Sequence, residues 1–358
     1  MYKKTIILFL LIFIDMKNSN AGYRPRLTEE ESEIITNHRA LKIECEVNGI
    51  PMSDVNHYWY KGKSFSLHVK NNGVSLDKVR EDIIKEMNKH SPSYPKIKRT
   101  KQKDPHLLVI DPADIHIGKL ASSFETGEDY NSQIAVKRVK EGIQGILEKS
   151  NGFKVNKILF VGGNDILHID EPHRKTTAGT PQDTDGMWYE NFLTAKKLYI
   201  DVLETLIAVA DVHFVYNPSN HDYISGFMLS DSIQSWFRKS KNITFDCSIA
   251  HRKGFKYGNN LIGTTHGDGA KQADLPLIMA NEFSQWWADT KHRYVYTHHI
   301  HHKSSKDYHG ITVESLRSPS GSDSWHHRKG YGVGGIKAVE GFIHSMEHGQ
   351  VARLTHIF

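Results

Sequence analysis

Residues 106–118 read HLLVIDPADIHIG. His106 to Ile110 has the length and apolar character of a buried strand, and the run breaks on Asp111, Pro112, Asp114 and His116. The same event recurs four times downstream. KILFV (157–161) meets Gly162, Gly163, Asn164 and Asp165, and VHFVY (212–216) meets Asn217, Ser219, Asn220, His221 and Asp222. LIGTT (261–265) meets His266, Gly267 and Asp268, and RYVYT (293–297) meets His298, His299, His301 and His302. Helical patterns around Ile134–Leu147 and Met187–Ala210 separate the earlier strands, which argues for an α/β fold with a mixed or parallel buried sheet. The later strands LIGTTH, RYVYTH and GFIHSM, with one helix near Leu275 to Trp287, indicate a second sheet packed on the first. Ligands of open α/β sheets bind beyond the carboxyl ends of the strands, so the five polar clusters are expected to converge on one crevice.

The chain has 358 residues, of which 38% are hydrophobic and 24% charged, enough to bury one sizeable core with appendages. Its two cysteines, Cys45 and Cys247, exclude a disulfide framework and a thiolate zinc cluster. Any metal site must therefore draw on Asp, Asn and the 23 histidines. The net charge of +5 favours a polyanionic partner only weakly.

Upstream of the strands the organisation changes. The apolar run Thr5–Ile14 is too short to span a bilayer, so no stable membrane association is expected. Residues 1–21 fit a signal peptide, with Ser19 and Ala21 before a cut at Gly22, which would make the protein secreted or periplasmic. Alternatively Met16 is the true start and the protein is cytoplasmic, the reading that the scarcity of cysteine favours. Residues 22–90 read as a small N-terminal module. Thr28 and Glu31 stand in capping-box spacing ahead of a helix reaching Leu41, HYWYKGKSFSLHVK (57–70) reads as a hairpin around Lys61-Gly62-Lys63, and a further helix follows Ser75. Residues 91–105, rich in Lys, Arg and Pro, read as a basic linker to a main domain at 106–358.

Asp-x-His, Asn-Asp, Asn-His-Asp, a lone His and His-x-His, in this order over residues 106–303, resemble the calcineurin-like metallophosphoesterases. The resemblance implies a four-layer α-β-β-α sandwich, two mixed sheets flanked by helices, here with a small N-terminal α/β extension. It also implies two divalent metal ions, Mn²⁺ first, with Fe or Zn²⁺ as alternatives. Asp114, His116, Asp165 and His301 would hold one ion; Asp165, Asn220, His266 and His299 would hold the other, with Asp165 bridging. A hydroxide between the ions would attack phosphorus, and His221 would protonate the leaving oxygen, with Asp222 orienting its imidazole. Asp111 is read as capping the turn through Pro112, and His298 and His302 as lying outside the metal positions.

Three positions where the family pattern has glycine before a ligand carry Asn164, Ser219 and His298 instead. Asn and His tolerate the left-handed backbone region better than Ser does. Asp114-Ile-His116-Ile-Gly118-Lys119 looks like the SbcD-type DNA repair exonucleases, and the N-terminal segments look similar to phosphoesterases carried by phages. These likenesses imply a nucleic-acid phosphodiester as substrate. A phosphomonoester is the alternative, as is a catalytically impaired nucleic-acid-binding module. Arg174 and Lys175, in the insert Glu171–Gly186, are candidate phosphate contacts, with a flexible surface loop as the competing reading. Trp325, in DSWHH (323–327), could stack on a base or be buried.

Overall fold

The computed structural model describes residues 28–47, 52, 55, 57–61, 66–70, 92–330 and 335–358. The chain divides into two compact units, Met1–Ser91 and Pro92–Phe358. In the first, α1 covers Glu29–Val47, directly after the capping candidate Thr28. β1 (His57–Lys61) and β2 (Ser66–Lys70) pair antiparallel, with His57 opposite Lys70 and Lys61 opposite Ser66. The helix expected after Ser75 and the signal-like segment 1–21 lie outside the described residues.

The second unit runs β3 (His106–Asp111), α2 (Ser123–Thr126), α3 (Ser132–Lys149), β4 (Val155–Val161), α4 (Trp188–Val209), β5 (Asp211–Val215), α5 (Tyr223–Trp236) and β6 (Ile243–Asp246). It continues through β7 (Arg252–Tyr257), β8 (Asn260–Thr265), α6 (Leu275–Glu282), α7 (Ser284–Asp289), β9 (His292–Thr297), β10 (Ser304–Tyr308) and β11 (Ile311–Ser315). It closes with α8 (Ser324–Lys329), β12 (Ala338–Ser345) and β13 (Gly349–Ile357).

One sheet has the order β13-β12-β3-β4-β5-β6, the other β10-β11-β9-β8-β7. Both are mixed: β3 to β6 pair in parallel and β12 pairs antiparallel to β3, while β8, β9 and β11 pair in parallel between two antiparallel edges. Successive side chains of a strand point to opposite faces, and β3 shows what each face meets. Leu108 and Ile110 pack with Val139, Ile143 and Ile146 of α3 and Leu198, Val202 and Leu206 of α4. Leu107 and Val109 join Ile262 and Tyr296 of the other sheet. On the far side of that sheet, Leu275 and Met279 of α6 cover Val295, Ile311 and Val313. Helix, sheet, sheet and helix thus form the four-layer sandwich implied by the resemblance. Each fully buried apolar side chain contributes about 1.5–3 kcal/mol.

Local signals place the helices that support the site. The Asn131 side chain accepts a hydrogen bond from the Ile134 N–H at 2.9 Å and starts α3, a cap of about 1 kcal/mol. The single helix expected over 275–287 is two: Phe283 leaves helical geometry at φ −119°, ψ 39°, and its ring sits where Gly254 of β7 has no Cβ. The basic stretch after Ser91 belongs to the second unit and is fastened within it. The backbone of Ile97 exchanges hydrogen bonds with the Asn242 amide at 2.8 and 3.0 Å, and Arg99 donates to Asp211 and to the Val209 carbonyl at the end of α4. A guanidinium there satisfies carbonyls that a helix end leaves unpaired.

Candidate metal centre

All five polar clusters lie beyond the carboxyl ends of their strands, and backbone hydrogen bonds weave the loops together. The N–H groups of Asp114 and His116 donate to the carbonyls of Asn164 and Asp165 at 3.0 and 2.9 Å, so the loop after β3 runs beside the loop after β4. Ser318 donates to the Asp114 carbonyl at 2.7 Å, and Tyr130 to the Ile115 carbonyl at 2.6 Å. Among the described residues eight non-glycine positions have positive φ, and six of them are here: Asp114, His116, Asn164, Asp165, His299 and His301. Each such residue costs on the order of 1 kcal/mol or more, and such strain persists where a fixed side-chain geometry is built.

The substituted glycines separate into different cases. Asn164 takes φ 73°, so it adopts the left-handed backbone that a glycine would. Ser219 and His298 do not have positive φ, so no glycine is needed there on conformational grounds. Ser219 instead uses its hydroxyl, which accepts from the Asp165 N–H at 2.8 Å and donates to the Asp222 carboxylate. Gly163 is required, since a Cβ there would stand 2.3 Å from the Asn217 nitrogen.

The seven residues named for metal binding come together. Donor atoms of Asp114, His116 and His301 lie within 4.8 Å of one another, as do those of Asp165, His266 and His299. Asp165 Oδ2 stands between the groups, 3.8 Å from His116 Nε2 and 3.4 Å from His266 Nε2. Asn220 Oδ1 lies 2.8 Å from His266 Nε2. Buried His266 Nδ1 has no hydrogen-bond partner and points toward Asp114 Oδ1, 3.9 Å away. An orphaned imidazole nitrogen among carboxylates, an amide oxygen and further imidazoles fits a divalent transition ion. Together the two His/Asp groups suit a dinuclear divalent-metal site.

The electrostatics differ from donor to donor. Burial, followed by the charges of Lys119 and neighbouring histidines, holds His116 well below its ordinary value, so its ring is neutral with a lone pair to give. Burial pushes Asp114 up to about 7, with Asp165 adding to the effect. Burial would raise Asp165 too, but His266 and His221 outweigh it and keep that carboxyl below the usual range. Burial opposes a proton on His266, yet Asp165 and Asp114 raise its pKa to about 9. Burial and the neighbouring His266 lower His299.

The candidate proton donor is held differently from expectation. His221 Nδ1 donates to the carbonyl of His168 at 2.9 Å, which leaves Nε2 for the reacting group. The His221 N–H also donates to Asp165 Oδ1 at 3.0 Å. Asp222 does not orient this imidazole. Fully buried, it accepts from the Leu167 N–H at 2.9 Å and from Ser219, because α5 begins at the next residue and turns the carboxylate inward. Burial, then repulsion from Asp165, pushes Asp222 up to about 7.

His168 is the residue that sequence reasoning missed. Its buried ring lies with Nδ1 3.4 Å from His116 Nδ1 and stacks on His221 at 5.2 Å and 19°. His116, His168 and His221 form a third group of converging donors. The available signal was a histidine inside the apolar stretch ILHID, just past a strand end. Asp111 also departs from its expected turn cap, since it bonds to His298. His302 is exposed, its Nδ1 2.7 Å from the Ile300 carbonyl.

The insert 171–186 is tied into the site rather than loose. Thr177 donates through its N–H to the Asn220 carbonyl at 3.2 Å, and Lys175 bridges both Glu171 and Pro181. Asp170, just before the insert, accepts from the N–H groups of Ile224 and Ser225 at the start of α5. Arg174 is exposed at φ 59° and Lys175 half-buried. Asp323 pairs with wholly buried Lys119 at 3.1 Å. The Trp325 side chain lies outside the described residues.

No protein-family model and no curated protein matches the chain. Among solved structures it is similar to an archaeal phosphodiesterase, at 9% identity over 71% of this chain and 99% of that one, TM-score 0.33. It is also similar to Vps29 from Entamoeba histolytica in complex with zinc, at 13% identity over 70% and 98% of the two chains, TM-score 0.30. A predicted phosphoesterase from Streptococcus pneumoniae aligns at 12% identity over 71% and 97%, TM-score 0.26. Overlaps this loose carry no functional inference; the donor geometry of the site does. No helix among the described residues is long and apolar enough to cross a membrane.

Proposed function

We propose that this chain is a calcineurin-like metallophosphoesterase that hydrolyses a phosphodiester, in an exonuclease-like reaction on nucleic acid. The observation that carries the reading is the place of Asp165, whose Oδ2 lies within 4 Å of imidazoles from both donor groups. One ion would rest on Asp114, His116, Asp165 and His301, the other on Asp165, Asn220, His266 and His299. Two Mn²⁺ ions suit these donors, and when bound they supply Lewis acidity that acidifies water and neutralises phosphoryl charge. The chain's own groups do the rest. His221, with Nδ1 committed to a carbonyl, presents Nε2 to give a proton to the leaving oxygen. Arg174 and Lys175, on an insert anchored to the Asn220 loop, would hold a phosphate next to the scissile one. Their position and the net charge of +5 support a polyanionic substrate over a small monoester.

The test is incubation with Mn²⁺ and labelled single- or double-stranded DNA, beside p-nitrophenyl phosphate and bis-p-nitrophenyl phosphate. Cleavage of DNA and the bis ester is expected. Hydrolysis of the monoester alone would remove nucleic acid as substrate, and failure to bind metal or cleave any ester would leave a binding module.

A further inference from the structure

Asp111 and His298 are both completely buried, and neither is among the residues proposed to hold an ion. Asp111 ends β3 in one sheet, and His298 directly follows β9 in the other. The His298 ring reaches both: Nε2 lies 3.0 Å from Asp111 Oδ1, and Nδ1 3.2 Å from the Thr265 carbonyl. The His298 N–H donates to the carbonyl of His266 at 2.8 Å. One residue thus touches three ligand-bearing loops. These are the loop of Asp114 and His116, the loop that opens with His266, and its own loop carrying His299 and His301. Each ring nitrogen faces an oxygen, so the imidazole is committed to the bridge and has no lone pair turned toward an ion. The next residue continues the link, since the His299 N–H donates to Asp114 Oδ2 at 3.1 Å.

Asp114 belongs to one donor group, and His266 and His299 belong to the other. We propose that Asp111 and His298 are a positioning pair that sets the separation of the two metal positions by clamping the ligand loops of the two sheets together. The inference rests on the two-metal reading. Hydrophobic packing between Leu107, Val109, Ile262 and Tyr296 holds the sheets face to face. Such packing is non-directional and does not by itself fix loops beyond the strand ends. A buried, directional bond between those ends does, and outer partners of this kind tune metal affinity as well as orientation. The departure from glycine at position 298 then has a purpose, because a glycine could not reach Asp111.

The test compares Asp111→Asn and His298→Gln with the unaltered protein by Mn²⁺ titration calorimetry, electron paramagnetic resonance of the Mn²⁺-loaded forms, and thermal melting. The unaltered protein should take up two Mn²⁺ with a spin-coupled spectrum. Asp111→Asn should bind the pair about 10–100-fold more weakly and change the coupling. His298→Gln keeps a donor for Asp111 and should fall between the two. If Asp111→Asn does not fold, His298→Gln makes the comparison alone. Uptake of fewer than two ions by the unaltered protein would defeat the two-metal reading itself. Two ions bound by both variants with unchanged affinity and coupling, whatever happens to the melting temperature, would overturn the positioning role and leave that reading intact.

Discussion

The hydroxyl of Ser219 lies 2.8 Å from the backbone nitrogen of Asp165 and also donates to Asp222, which joins the loop after β5 to the central carboxylate of the site. Removing it leaves a buried N–H and a buried carboxyl group each short of a partner. Ser219→Ala should therefore cost about 1–3 kcal/mol of stability, measured as a lower urea midpoint at unchanged slope. Ser219→Gly should cost at least as much, although the calcineurin-like pattern has glycine there, because the backbone gains nothing from it. A Gly variant as stable as the natural protein would show that the hydroxyl contributes nothing.

His221 and Asp222 are neighbours in sequence with separate roles. His221→Asn should retain metal content and lose on the order of 10²–10⁴-fold in turnover on esters with poor leaving groups, and much less on p-nitrophenyl esters. Asp222→Asn should instead lower stability, because its carboxylate braces Leu167 and Ser219. The ratio of rates for good and poor leaving groups should stay as in the natural protein. If Asp222→Asn reproduces the leaving-group dependence of His221→Asn, the carboxylate acts on the imidazole after all.

Legibility in the sequence follows the range over which each feature is set. The convergence of Asp114, His116, Asp165, Asn220, His266, His299 and His301 was legible because each follows a short apolar strand, and parallel strands bring such ends to one edge. The two-sheet architecture was legible for a related reason, the spacing of those strands and of the helical patterns between them. Asp222 was misread because adjacency in sequence says little about direction once the next residue starts a helix. His168 sits among isoleucines where a core histidine is the ordinary reading, and its partner His116 is 52 residues away. The contact of Ser318 with Asp114 spans 204 residues, a distance at which no local pattern operates.

Lys119 illustrates a support of the same long-range kind. Its ammonium, fully buried, donates to the Gly321 carbonyl at 2.9 Å and pairs with Asp323. It thereby ties the first ligand loop to the segment carrying Ser318. Lys119→Met should destabilise the fold by about 3 kcal/mol or more, since it removes one member of a buried ion pair. Adding Asp323→Leu should recover part of that loss, a coupling that a double-mutant cycle in urea would read directly. Fully additive losses would show that the two side chains do not depend on each other.

Two histidines that lie away from the centre should oppose folding in acid. Burial lowers His344 to about 3, with His292 adding to the effect, and burial with Lys157 nearby lowers His213 to about 4. In the unfolded chain both should titrate near 6.5. Below that value the unfolded state takes up protons that the folded state refuses, so the part of the stability that these two groups carry is full above about pH 6.5 and falls as the pH drops toward 4. At pH 5 each group should cost about 2 kcal/mol relative to pH 8. His344 Nε2 lies 3.0 Å from the Tyr296 hydroxyl, a contact that glutamine can reproduce without titrating. His344→Gln should therefore flatten the acid limb of the stability profile while changing little at pH 8. An acid limb of undiminished slope in that variant would mean that His344 is not among the groups whose protonation unfolds the protein.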